Sequence, residues 1–293
     1  VTPLNLPPGA YNVLRLSPDG THIAVGSDDG REAVVWIGDL AGTSSLRRLT
    51  FDGKNRFPIW SADSQHIAYQ SDRDDGLAIF RQRADGSGAA ERLTAPDQTG
   101  VSHIPEAWSA TGNEILFRVT KDGMASLWTL STADRDAMAF GGVNSPVATD
   151  ATFSPDGRWV AYADRLDGDA ARGAIYVQPF PATGAKYQIT RSGRHPLWSR
   201  DGTQLLFVIP GGNQYAVASV TTQPAFRSGS PEPVTRLFVD SQRDPVRTFD
   251  ITPAGGLVGL IDAVATASGA AESPQINVVL NWFEELKTRV PAK

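Results

Sequence analysis

Seven residues of the chain have types and positions suited to holding a ligand: Arg56, His103, Asp150, Arg194, His195, Arg243 and Arg247. Several stand just before a proline, in R-F-P at 56–58, H-I-P at 103–105 and R-H-P at 194–196. A guanidinium fork presents paired N–H donors that match carboxylates and phosphates. A ring of such groups would take a small anionic ligand, or a protein or peptide segment. The plainer alternative is that these cations pair with Asp28, Asp72, Asp74 and Asp164 and hold the scaffold in shape.

Other chemistries find less support. Nucleophilic hydrolysis needs a serine on a G-x-S-x-G elbow. The nearest string, GSGAA at 86–90, does not match and falls in an expected hairpin loop. His22 and His66 occupy equivalent places in a repeat, which points to a repeated surface role rather than a shared metal site. The acidic strings SDDG at 27–30, SDRDDG at 71–76 and DRLDGDAARG at 164–173 lack the ligand spacing of an EF-hand loop. No metal or cofactor is expected. A glycosidase would use two carboxylates across a cleft, and nothing singles out a pair. Kinase signatures are missing: there is no Gly-rich loop with its lysine, no H-R-D and no D-F-G.

Composition narrows the class. The chain has 293 residues, 41% apolar and 20% charged, which is ordinary for a globular protein. Net charge is −5 with no Lys/Arg block, so the footprint of a nucleic-acid binder is missing. There are no cysteines, which excludes disulfides and thiolate chemistry. No apolar run is long enough to span a membrane as a helix. The first residues, VTPLNLPPGAY, do not read as a signal peptide, and the chain reads as a processed protein or a piece of a longer one.

The positioning elements follow from a repeat. A four-residue turn recurs as S-P-D-G at 17–20, S-A-D-S at 61–64, S-A-T-G at 109–112, S-P-D-G at 154–157, S-R-D-G at 199–202 and T-P-A-G at 252–255. A large apolar residue precedes each copy: Leu16, Trp60, Trp108, Phe153, Trp198 and Ile251. An apolar triplet follows each, such as IAV at 23–25, IAY at 67–69 and LLF at 205–207. Further β-rich runs complete each unit, although the fourth strand of the third copy, near MAF at 138–140, is weak. Helical periodicity is confined to residues 281–290.

Units of this length with four short strands are the signature of propeller blades. The expected fold is all-β: one six-bladed β-propeller of four antiparallel strands per blade. The blades run over 11–50, 57–95, 104–141, 149–190, 196–239 and 247–282. The last copy shows three strands, so residues 2–7 are expected to supply its outer strand and close the ring. The loops entering the inner strands would then gather the seven candidate residues around one mouth of a central channel.

The turn, its preceding Trp and the triplet resemble the repeats of TolB-like (WD40-like) propellers, most clearly in FSPDGRWVAYADR at 153–165 and WSRDGTQLLFV at 198–208. That likeness covers roughly residues 12–290 and implies a fold, not an activity. It is shared by periplasmic TolB, by prolyl-oligopeptidase-type peptidases and by bacterial receptor-like kinases. The ending INVVLNWFEELKTRVP at 276–291 and the entry LPPGAYNVLRLSPDG at 6–20 resemble the C-terminal extracytoplasmic propeller of bacterial receptor-like serine/threonine protein kinases. The resemblance implies a non-catalytic sensor or interaction domain outside the cytoplasm, tethered to an upstream membrane span and kinase. A TolB-like periplasmic interaction module, and an enzyme acting on glycans or peptides through loop carboxylates, are the alternatives.

Overall fold

Each repeat closes its turn in the same way. The N–H of the fourth residue donates to the carbonyl of the first: Gly20 to Ser17, Ser64 to Ser61, Gly112 to Ser109, Gly157 to Ser154, Gly202 to Ser199 and Gly255 to Thr252. The fourth residue is left-handed in every copy, which is why glycine fills five of the six positions. The opening hydroxyl adds a cap. Ser17, Ser61, Ser109, Ser154 and Ser199 accept the N–H five residues on, and Thr252 accepts that of Gly256. Each turn thus satisfies its own backbone before any tertiary contact is made.

This computed structural model describes residues 2–3, 9–40, 45–146, 148–166, 169–209, 214–234, 246–261 and 275–279. The architecture is an all-β propeller of antiparallel, four-stranded blades. Among the described residues the strands form six sheets. From the inner strand outward, sheet 1 is Tyr11–Leu16, His22–Asp28, Ala33–Asp39 and Arg47–Arg48. Sheet 2 is Asn55–Trp60, His66–Ser71, Ala78–Arg83 and Glu91–Arg92. Sheet 3 is Ser102–Trp108, Glu114–Lys121, Met124–Ser131 and Ala137–Ser145. Sheet 4 is Thr152–Phe153, Trp159–Leu166, Asp169–Pro179 and Tyr187–Thr190. Sheet 5 is Arg194–Trp198, Gln204–Ile209 and Gln214–Thr221, with Arg227–Ser228 and Glu232–Val234 both pairing with the third strand. Sheet 6 is Phe249–Ile251, Leu257–Ile261, Gln275–Val279 and, from the other end of the chain, Thr2–Pro3. There Thr2 lies opposite Val278 and Pro3 opposite Asn277. Residues 4–7 of the expected closing strand, and the expected helical turns at 281–290, lie outside the described residues.

The apolar triplets explain how the sheets stack. Side chains of a strand alternate between its two faces. Accordingly Ile67 and Tyr69 pack on sheet 1 while Ala68 packs on sheet 3. Val160 and Tyr162 face sheet 3 while Ala161 faces sheet 5. Leu205 and Phe207 face sheet 4 while Leu206 faces sheet 6. Val258 and Leu260 of sheet 6 meet Leu14, Ile23 and Val25 of sheet 1. A buried aromatic removes roughly 150–250 Å² from water. Tyr69, Tyr162, Phe117 and Phe207 are each at most 1% exposed, so this face-to-face packing is the main stabilising interaction.

Sheet 3 departs from expectation. Its outer strand is the nine-residue Ala137–Ser145, so the third blade runs past 141. Pairing jumps from Trp128↔Ala139 to Ser126↔Asn144. Gly141 and Gly142, both at positive φ, absorb the extra residues. The bulge breaks the period-two pattern by which a strand is recognised in sequence.

Candidate functional site

The inner strands approach the axis through bulges. Register slips between Tyr11 and Val13, Arg56 and Ile59, Pro105 and Ala107, and Arg194 and Leu197. In three repeats the residue three before the large apolar anchor is left-handed: Phe57 at φ +56°, Asp150 at +43° and His195 at +55°. A non-glycine residue there costs about 1–2 kcal/mol, so tertiary bonds must hold it. Those bonds form a buried network of charges.

Glu106 of sheet 3 carries much of it. Both its carboxylate oxygens accept the Thr149 hydroxyl at 2.7 Å. They also accept the N–H of Asp150 at 3.1 Å and of Ala151 at 2.7 Å. The Arg118 guanidinium lies 3.4 Å away. Burial pushes the Glu106 carboxyl above its ordinary range, against the pull of Arg118. Asp150, so anchored, receives the Nδ1–H of His195 from sheet 5. Burial alone would raise its carboxyl, but the charge and hydrogen bond of His195, with Arg118 and Arg247, hold it below the usual value. Across the axis Arg247 donates to the carbonyls of Phe249 at 2.9 Å and Pro196 at 3.3 Å. Arg15 donates to the carbonyls of Leu14 at 2.6 Å and Arg247 at 2.7 Å. Burial lowers the Arg15 guanidinium to about 9, and the nearby charge of Arg247 adds to the effect.

The sequence-predicted residues therefore have distinct fates. His195, Asp150 and Arg247 are buried and stitch neighbouring sheets together. Arg56 donates to Asp28 at 2.6 Å, one of the pairings the plainer alternative named. Asp164 instead pairs with Lys186 at 2.8 Å, and Asp72 accepts the N–H of Lys54 at 2.7 Å. Asp74 contributes its carbonyl to Arg92. His103 is half-buried edge-on to Phe117, ring centroids 5.4 Å apart, and burial lowers its imidazole. Arg194 is half-buried opposite Val208. Arg243 lies outside the described residues. Among the described residues no three His, Asp or Glu side chains cluster as metal ligands would, and no helix is long and apolar enough to cross a membrane.

The opposite, turn-side end of the axis opens instead into a recess of about 280 Å³ to which all six sheets contribute. Its wall is the repeated anchor position, Leu16, Trp60, Trp108, Phe153, Trp198 and Ile251, and its rim is built from turn residues such as Pro18, Ala110, Pro155 and Arg200. Trp60 Nε1 donates to the Arg15 carbonyl at 3.0 Å and Trp108 Nε1 to the Gly112 carbonyl at 2.9 Å. Arg200 is exposed, and it donates to the Ile251 carbonyl at 2.9 Å. The anchors were legible in sequence as inter-blade packing. Their second role, lining the recess, was signalled only by their recurrence immediately before the turn.

Comparison with solved structures agrees with this geometry. TolB from Acinetobacter baumannii superposes with a TM-score of 0.65 at 20% identity, over 92% of this chain and 63% of that one. The chain is a TolB-like β-propeller in fold. A putative TolB from Agrobacterium tumefaciens matches at TM-score 0.66 and 16% identity, over 93% of this chain and 91% of that one. An oligogalacturonate lyase from Vibrio parahaemolyticus matches at 0.58 and 12%, over 93% and 75%. This chain therefore spans about 63% of the length of the Acinetobacter TolB. No family model matches the chain, and no curated protein matches it by sequence.

Proposed function

We propose that this TolB-like chain is a non-catalytic module that binds a protein or peptide segment, working outside the cytoplasm as a six-bladed ring closed by its N-terminal strand. The pairing of Thr2–Pro3 with the last sheet, and the packing of that sheet on sheet 1, support the closed ring. The observation that carries the binding reading is the turn-side recess. It gathers aromatic side chains from four sheets, aliphatic ones from the other two and an exposed guanidinium onto a rigid frame, the arrangement in which binding groups concentrate. Glu106 and Asp150 are engaged by backbone and side-chain donors, and Asp250, which lines the recess, accepts the N–H of Leu16 at 3.0 Å and of Ile251 at 2.9 Å, which favours scaffolding over catalysis. On the finer scale, the ending at 276–291 and the entry at 6–20 support the reading as the sensor portion of a receptor-like serine/threonine kinase. Most of that ending lies outside the described residues.

The test is a peptide-array and pull-down screen with extracytoplasmic segments, repeated with two pairs of variants. Ala110→Trp and Arg200→Glu fill and recharge the recess rim without touching the core. Arg56→Ala and Arg194→Ala strip the arginine end. Loss of binding by tenfold or more in the first pair alone supports the recess. Loss in the second pair alone moves the site to the arginine end. Turnover of a glycan or peptide substrate by the wild type would overturn the non-catalytic reading.

A further inference from the structure

The arginine end of the axis holds a second feature, which shares Arg247 with the binding recess. A small, partly enclosed cavity of about 10 Å³, room for one small occupant, lies among Arg15, Phe57, Pro58, Ile59, Pro105, Glu106, Asp150, Val246 and Arg247. Five sheets contribute to its wall. Among the described residues Arg15 Nε is a buried donor without a hydrogen-bond acceptor, on a side chain only 9% exposed. A buried charged donor left unmade costs more than a neutral one. Arg15 Nη1 serves two carbonyls, and Arg247 serves those of Phe249 and Pro196, while Arg118 Nη1, 3.4 Å from Glu106, is a second buried donor without a hydrogen-bond acceptor among the described residues.

We propose that this cavity binds a single small monovalent anion of the halide class, chloride in solution, held by Arg15 Nε–H beside the Arg247 guanidinium. Two carboxylates share the wall, yet each is turned to donors of its own. Glu106 receives Thr149, the N–H groups of Asp150 and Ala151, and Arg118. Asp150 receives His195. Burial first, and then the charge of Arg247, lower Arg15 against the pull of Asp250, Asp150 and Glu106, and an anion between the two arginines would offset their mutual repulsion. The size of the cavity excludes phosphate esters and peptide carboxylates. Bound there, a halide would tie the inner strands of sheets 1 and 6 together from the axis.

The probe is sodium chloride or bromide against sodium gluconate at equal ionic strength, read as the melting temperature of the whole chain. Matched ionic strength cancels the screening of surface ion pairs, which does not depend on anion identity. The expected result is a saturating rise of a few degrees with chloride and bromide and none with gluconate, abolished in Arg15→Gln. Equal melting in all three salts overturns the proposal and leaves water as the occupant. A chloride effect that survives in Arg15→Gln overturns it too. Because Arg15→Gln is a core change, bromide-soaked crystals of the wild type provide a second readout. An anomalous peak within hydrogen-bond distance of Arg15 Nε supports the site, and its absence refutes it.

Discussion

Replacing Asp150 with asparagine tests whether the buried network stabilises the propeller. Asn tolerates the left-handed backbone about as well as Asp, so the φ of +43° is not the variable. What is lost is the charge-assisted bond from His195, worth about 1.5–3 kcal/mol, together with the attraction of Arg118 and Arg247. Part of that loss is returned, because the Asp150 charge raises the Glu106 carboxyl and its removal relieves the repulsion. The net expectation is a loss of about 2 kcal/mol near pH 7. At roughly 2–4 °C per kcal/mol for chains of 150–250 residues, the melting temperature should fall by about 4–8 °C, toward the lower end for this longer chain. The pH dependence has a definite sign. The folded carboxyl sits below its unfolded value of 3.8, so the native state releases its proton first as pH rises. Its stabilisation is fully present above about pH 4 and is lost as pH falls through the folded value. Thermal melts by circular dichroism from pH 7 to pH 3 should show a constant gap between wild type and Asp150→Asn that closes below about pH 4. A gap under 1 °C at pH 7, or one that widens in acid, refutes the reasoning.

Two further comparisons probe the packing between sheets. A Cβ on Gly20 would lie 2.4 Å from Pro253 Cγ in the turn of sheet 6, whereas one on Gly157 meets open space, and both residues have positive φ. Gly157→Ala should cost about 1–2 kcal/mol from backbone conformation alone, and Gly20→Ala about 1–3 kcal/mol more from overpacking; equal costs in urea titrations would mean that the first and last turns do not abut. Trp60→Phe removes the indole donor from the buried Arg15 carbonyl, whereas Trp198 Nε1 has no hydrogen-bond acceptor among the described residues. With similar volume lost, Trp60→Phe should be the more destabilising by about 1 kcal/mol, measured by the same titrations, and the reverse order would reject the assigned bond.

The turns and the triplets show why the fold was legible. A Ser, an Asp and a Gly at fixed places make a turn whose hydrogen bonds are all local, so reading Ser17, Asp19 and Gly20 is nearly reading the structure. The alternation of Ile67, Ala68 and Tyr69 likewise assigns faces, because strand geometry permits no other arrangement. The candidate site was less legible. Arg247 and His195 look in sequence like ligand-binding cations, and only the folded chain shows that their partners are a carbonyl and a carboxylate of neighbouring sheets.

Local periodicity, read from the residues alone, determined the all-β class, the repeat and the face-to-face stacking. Only the tertiary structure decided which end of the axis is filled with charge and which stays open. That choice turns on the left-handed residues Phe57, Asp150 and His195, the first and last of which lie in bulges where one extra residue redirects a side chain. Their left-handed backbones persist only because contacts 40 or more residues distant in sequence, such as Glu106 with Ala151, outweigh the local preference.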